Sequence, residues 1–184
     1  MRRFSLAAMA AAGVLTAGAA SGAVTVIGGG LAESCSKAAL AERSDEQALD
    51  LCDQALRDDS LTVRDRAGTL INRGVIRLRR AEWLQARADL DAAIKMAPKI
   101  GEGWINLGAL EVATKDYKQG LEDIDKGLAL GVSEPEKAYY NRALAYEGLD
   151  DEKAAYLDYQ QALVLKPGWD LPAHELLRFT VTTR

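Results

Sequence analysis

The chain has 184 residues, 48% hydrophobic and 27% charged with only four prolines, a composition that excludes a largely disordered polypeptide. Its formal net charge is -4 at pH 7, and its 23 basic side chains form no stripe. Because phosphate binding needs clustered Lys and Arg, this balance argues against a nucleic-acid partner.

Residues 1–23 have the layout of a secretory signal peptide. Two arginines precede an uncharged stretch rich in Ala and Leu, and the small-residue triplets 17–19 and 21–23 each suit cleavage. We predict removal of residues 1–23 and a periplasmic or secreted protein. The alternative is an uncleaved membrane anchor, because the apolar run through Ile27 is nearly long enough to span a bilayer.

A flexible linker is predicted for residues 24–32, which contain three consecutive glycines. Residues 33–66 then predict a degenerate helical hairpin. Ala48, Cys52 and Ala55 are small, large and small at intervals of four and three, so they share one face of its second helix.

The same pattern recurs in three units, at residues 67–100, 101–135 and 136–169. Asparagines fall in register at Asn72, Asn106 and Asn141. The second helices repeat the small–large–small set: Ala86, Leu90, Ala93; Gly120, Ile124, Gly127; Ala155, Tyr159, Ala162. Helices approach closely where side chains shrink to Gly or Ala, and a proline ends each unit, so stacked helical hairpins are predicted.

These units resemble the tetratricopeptide repeat family. The middle unit matches the motif at Trp104 and Leu107-Gly108, with Glu111 in the place of the usual aromatic. Arginines depart from the motif at three further places, Arg73, Arg77 and Arg142. The resemblance implies an all-α, right-handed α-solenoid of three such repeats, preceded by the degenerate N-terminal hairpin. The predicted signal peptide and the array together resemble exported bacterial repeat proteins.

Residues 170–184 predict a C-terminal capping helix and tail. Asp170 suits a helix N-cap and Pro172 the first turn. Ala173, Leu176, Leu177 and Phe179 would lie on the apolar face of this helix.

The two cysteines, Cys35 and Cys52, fall on facing sides of the degenerate hairpin, where their Cα atoms could lie within disulfide reach. We predict a disulfide because an exported chain meets an oxidising compartment. The alternative is two buried free thiols.

Catalytic and metal-binding patterns are absent from the sequence. The single histidine, His174, has no second histidine or clustered carboxylate at metal-ligand spacing, and no phosphate loop or nucleophile elbow occurs. We therefore predict a protein that is not an enzyme and that has no metal and no cofactor.

Family resemblance implies that the first helices line a concave face. There the asparagines would form a ladder, and carboxamides can pair with the backbone of an extended peptide. We expect apolar residues and one cation beside the ladder: Ile71, Ile105, Tyr140, Val75, Ala109, Leu144 and Lys137.

Other interpretations remain open at this point. The asparagines could instead join neighbouring helices and only position the stack. The predicted function is a scaffold for a protein or peptide partner. The alternatives are a membrane-tethered assembly factor that retains its N-terminal anchor and an array that binds a small molecule or glycan.

Overall fold

The computed structural model describes residues 4–8, 22–26, 30–58 and 60–183. These ranges contain nine helices and two strands: β1 (Phe4–Ala8), α1 (Leu31–Leu40), α2 (Glu46–Leu56), α3 (Val63–Arg79), α4 (Trp83–Met96), α5 (Gly101–Ala113), α6 (Tyr117–Leu130), α7 (Pro135–Gly148), α8 (Glu152–Leu165), α9 (Asp170–Leu176) and β2 (Phe179–Thr183). Successive helices pair into four hairpins that stack in chain order, with α9 against α8. The all-α solenoid predicted from the repeats is therefore confirmed.

The small–large–small sets form the core of each hairpin, as predicted. Their large members Cys52, Leu90, Ile124 and Tyr159 have no exposed side-chain surface. The backbones of α5 and α6 lie close together: a Cβ at Gly108 would lie 2.8 Å from the carbonyl oxygen of Gly120. Glycine is required there because any side chain would separate the two helices.

Each turn within a hairpin places one non-glycine residue in the left-handed region of backbone space. These residues are equivalent in the four hairpins: Glu42, Ala81, Lys115 and Asp150, with φ between 56° and 69°. Glycine adopts this conformation at no steric cost, whereas other residues are strained by about 1–2 kcal/mol. The four turns therefore share one backbone conformation, which is strained at a non-glycine residue in each.

Arginines that depart from the repeat motif join successive hairpins through ion pairs. Arg73 of α3 donates to both carboxylate oxygens of Asp89, at 2.6 and 2.9 Å, and to Asp53 of the preceding hairpin at 2.5 Å. Arg142 makes the equivalent bonds in the third repeat, to Asp158 and Asp125. The guanidinium group replaces the apolar contact of the motif with a bridge between three helices.

The middle repeat lacks this bridge and buries two carboxyl groups instead. Leu107 stands where the other repeats have arginine, so the buried side chain of Asp123 faces Glu111. Burial and the nearby Asp123 raise the pKa of Glu111 to about 8, although Arg87 opposes the shift. Glu111 therefore keeps its proton at neutral pH.

Aromatic side chains close the C-terminal end of the stack. The ring centroid of Tyr140 lies 5.2 Å from that of Trp169, and the centroid of Tyr159 lies 6.1 Å from that of Phe179. The predicted capping helix is shorter than expected, because it ends at Leu176 and leaves Leu177 82% exposed. Phe179 belongs to β2 instead, since the chain turns back over the last hairpin.

Strand β2 pairs with β1 in an antiparallel two-stranded sheet, with Phe4 opposite Thr183 and Ala8 opposite Phe179. Neither strand was predicted from the sequence. Most of the predicted signal peptide, namely residues 1–3 and 9–21, lies outside the described residues. Among the helices that the structure describes, none is both long and apolar enough to cross a bilayer.

Candidate peptide-binding site

Residues 22–26 form an extended segment that lies against the first helices of the array. The predicted flexible linker begins with this segment, so the linker prediction is wrong for residues 24–26. Gly22, Ala23 and Val26 are buried, and only Thr25 is exposed. Residues 27–29 of the linker lie outside the described residues, and α1 begins at Leu31.

Asn72 binds this segment through both ends of its carboxamide. Its Oδ1 accepts a hydrogen bond from the backbone N–H of Val24 at 2.8 Å, and its Nδ2 donates to the Val24 carbonyl oxygen at 2.9 Å. The side chain is fully buried. A buried carboxamide without these bonds would leave a donor and an acceptor unpaired. Both of these hydrogen bonds go to backbone atoms of Val24, so they do not depend on the identity of its side chain.

Asn106 of the next hairpin binds the same segment two residues earlier. Its Nδ2 donates to the Gly22 carbonyl oxygen at 2.8 Å and to the Glu102 carbonyl oxygen, in its own helix, at 2.8 Å. Its buried Oδ1 has no hydrogen-bond partner within the part of the chain that is described. Alternate residues of an extended chain present their carbonyl groups on the same side, so successive asparagines can follow the backbone. Asn141 occupies the equivalent position on α7 and is also buried.

Ser36 of α1 holds the segment from the opposite side, a role that the sequence analysis missed. Its Oγ donates to the Val24 carbonyl oxygen at 2.8 Å and accepts from the Val26 N–H at 3.3 Å. The Val24 carbonyl therefore receives hydrogen bonds from both Asn72 and Ser36. The N-terminal hairpin contributes one wall of the site rather than only covering the end of the stack.

The Cys35–Cys52 disulfide joins α1 to α2 directly beside Ser36. The S–S distance is 2.02 Å, the Cα atoms lie 4.8 Å apart, and neither residue is exposed. The register had placed the two cysteines within reach, and the disulfide was predicted over two free thiols because an exported chain meets an oxidising compartment. It fixes the wall that carries Ser36 to the rest of the N-terminal hairpin.

Gly68 forms the floor beneath the two valines of the segment. A Cβ at Gly68 would lie 3.0 Å from Cγ2 of Val26 and 3.4 Å from Cγ1 of Val24. Gly68 precedes Asn72 by one helical turn, so the two residues share a face of α3. The floor therefore leaves room for valine side chains because it has none of its own.

Most of the predicted apolar flank lies in the helical core and not on an open surface. Ile71, Ile105, Val75, Tyr140 and Leu144 are at most 6% exposed and belong to the packed clusters of the hairpins. Ile71 approaches Gly103 of the next hairpin, and Ile105 approaches Gly127. These five side chains therefore pack between helices in this structure, and their contact with a peptide stays a prediction. Ala109 is half-buried on α5.

Charged residues surround the site at Gly22. The Nζ of Lys137 lies 2.8 Å from Oε1 of Glu134 and 3.8 Å from Oε1 of Glu42, so this predicted cation is already paired with acids. A Cβ at Gly22 would lie 3.8 Å from Oε2 of Glu134 and 3.9 Å from Cγ of Glu102. This end of the site therefore accommodates glycine or alanine and is lined by carboxylates rather than by free cations.

No group of three or more His, Cys, Asp or Glu side chains that could hold a metal ion occurs among the described residues. Protein-family models and curated protein sequences give no match to this chain.

Solved structures, by contrast, share its fold. The tetratricopeptide repeat domain of Arabidopsis OM64 is 23% identical, with a TM-score of 0.59 over 64% of this chain and 96% of that domain. MamA from Desulfovibrio magneticus RS-1 is 23% identical, with a TM-score of 0.59 over 80% of this chain and 82% of that one. A further MamA structure is 18% identical, with a TM-score of 0.59 over 82% of each chain. The stacked hairpins of this chain have the fold of a tetratricopeptide repeat domain.

Proposed function

We propose that this chain is a non-enzymatic interaction scaffold that binds an extended peptide segment of a partner protein on its concave face. The hydrogen bonds from Asn72 and Asn106 to the backbone of residues 22–26 are the observation that supports this proposal. They give an example of extended backbone held by the asparagine ladder.

The ladder suits a protein partner because it recognises groups that every peptide has. A carboxamide supplies N–H donors and a carbonyl acceptor that suit any peptide backbone, so selectivity has to come from the space around the neighbouring side chains. Glu102 and Glu134 face one end of the site, and they would disfavour a ligand with acidic side chains or a free carboxylate there. An acidic C-terminus is therefore not the ligand that we propose.

The experiment pans a phage-displayed random peptide library against the full chain and measures the affinity of selected peptides by fluorescence anisotropy. Asn72→Ala and Asn106→Ala should each weaken binding at least tenfold. Gln160→Ala, which alters an exposed side chain of α8, is the matched control and should bind like the wild type. If the asparagine variants melt at lower temperature but keep their affinity, the asparagines position the stack and the proposal is wrong.

Export to the periplasm or cell exterior is part of the same proposal, with the membrane-tethered assembly factor as the alternative. The disulfide between Cys35 and Cys52 supports an oxidising compartment. An anchor would have to retain residues 4–8 and place them in the bilayer, away from their pairing with β2. The intact mass of the protein isolated from its native cell distinguishes a cleaved from a retained N-terminus.

A further inference from the structure

We propose that residues 22–26 are a built-in occupant of the peptide site, and that a partner must supply an extended segment of the same pattern to displace them. This inference rests on the proposed function and deepens it. It names the ligand pattern from the contacts of each residue: small at 22 and 23, valine-sized at 24 and 26, and unrestricted at 25.

The pattern follows from the space around each position. Glu102 and Glu134 approach the position of Gly22 to within 4 Å. Ala23 is 3% exposed and packs among the residues of the first hairpin and Ile76. A Cβ at Gly22 would make ordinary van der Waals contact with these side chains, so alanine fits there as well as glycine. Because positions 22 and 23 are both buried, we assign small residues to both.

The second half of the segment meets two apolar sites and one open position. Val24 packs against the core of the first repeat, and Val26 packs with Ala32, Ala55 and Leu61. Thr25 lies between them and is exposed. Positions 24 to 26 alternate as expected for an extended chain on a surface, whereas Gly22 and Ala23 are both buried.

Polar contacts to the segment use backbone atoms alone. Asn72, Asn106 and Ser36 bond to N–H and carbonyl groups of residues 22, 24 and 26. Any peptide with the right side-chain sizes can reproduce these bonds. The segment is therefore replaceable in chemical terms, unlike a strand whose own side chains make specific polar contacts.

Attachment to α1 gives the built-in segment an advantage over a free peptide. Only residues 27–29 separate it from Gly30, the N-cap of α1. A short tether gives an effective concentration of about millimolar, so a free peptide of equal intrinsic affinity competes poorly. The same short tether favours the chain's own site over the site of a second copy.

The test measures peptide binding to a variant of the full chain in which the segment has been released from the site. Val26→Asp places a carboxylate among Ala32, Ala55 and Leu61 and should release the segment, because an unpaired buried charge is costly. Thr25→Asp is the matched control, since it adds the same charge at the exposed neighbouring position. The probe is a fluorescent, acetylated peptide with the sequence of residues 20–28.

We expect Val26→Asp to bind this peptide at least tenfold more tightly than the wild type or Thr25→Asp. Addition of Asn72→Ala to Val26→Asp should abolish the gain. A peptide that carries the Val26→Asp change should not bind. If Val26→Asp does not keep the helical circular dichroism of the wild type, Val24→Pro is used in its place. Proline lacks the backbone N–H that donates to Oδ1 of Asn72, so this variant releases the segment without adding charge.

The other outcomes separate the two proposals. Equal binding by the wild type and Val26→Asp, lost in both with Asn72→Ala, would overturn the built-in occupant and leave the peptide site standing. Binding that survives Asn72→Ala would place the peptide elsewhere and overturn the proposed function as well. An absence of binding to a folded Val26→Asp or Val24→Pro protein would overturn the inference, and the library experiment then decides the proposed function.

Discussion

Glu111 makes the stability of the middle repeat depend on pH. Its pKa lies at about 8 in the folded chain, against 4.5 for an unperturbed glutamate, because it is buried beside Asp123. The folded state therefore keeps a proton that the unfolded state loses, and stability falls as pH rises between these values. The loss is about 1.4 kcal/mol per pH unit while the proton is held.

Half of the Glu111 population is ionised at pH 8, so the slope decreases near the top of this range. From pH 6 to pH 8 we expect the wild type to lose about 2 kcal/mol of unfolding free energy. Glu111→Gln keeps the shape of the side chain and has no proton to lose, so it should remove most of this loss. Urea unfolding followed by circular dichroism at pH 6, 7 and 8 measures the difference.

Glu122→Gln is the matched control for Glu111→Gln, because Glu122 is exposed on α6, the helix that contains Asp123. This variant should keep the pH dependence of the wild type. If Glu111→Gln also keeps it, the buried carboxyl pair is not its source. A wild type that is equally stable at pH 6 and pH 8 would show that Glu111 is ionised throughout.

Two further predictions concern covalent and backbone constraints. Reduction of the Cys35–Cys52 bond, or replacement of both cysteines by Ala, should destabilise the N-terminal hairpin by about 3 kcal/mol. Hydrogen exchange should then show that α1 loses protection before α5. Equal loss of protection in the two helices would contradict this prediction. Ala81→Gly should raise the unfolding free energy by about 1 kcal/mol, because Ala81 has a φ of 56°. Gln85→Gly, at an exposed helical position two residues into α4, should lower it by a similar amount, and a loss in both variants would refute the strain.

The hairpins and the disulfide could be predicted because their information is local and repeated. The triplet that ends at Ala93 recurs with the same spacing in every unit, so each second helix confirms the register of the others. Cys52 occupies the position of the large core residue in that register, and Cys35 on the first helix was therefore expected to face it across the hairpin. Arginines such as Arg73 clearly depart from the repeat motif, but their ion-pair partners could not be predicted because these pairs join helices from different hairpins.

The lining of the concave face was predicted less well. Ile71 precedes Asn72 by one residue, which turns its side chain about a quarter of the way around α3 and into the neighbouring hairpin. The residues that share a face with Asn72 lie one turn away, at Gly68 and Ile76. Helical spacing from the asparagines was the signal that could have identified Gly68. Ser36 gave no such signal, because the degenerate hairpin has no register asparagine.

Residues 21–23 are small for either of two reasons, and the position of the mature N-terminus separates them. Small residues suit a signal-peptide cleavage site, and they also suit the site at Gly22 and Ala23. A chain that begins at Ala20 keeps the bond from Asn106 to the Gly22 carbonyl and the burial of Ala23.

A chain that begins at Val24 loses both contacts. We expect it to be less stable by about 1–2 kcal/mol in urea unfolding, since one net hydrogen bond and one buried methyl group are removed. A chain that begins at Ala23 is the intermediate control, because it restores the alanine but not the Gly22 carbonyl. Equal stability of all three would mean that residues 22 and 23 contribute nothing to the fold, and their size would then reflect cleavage alone.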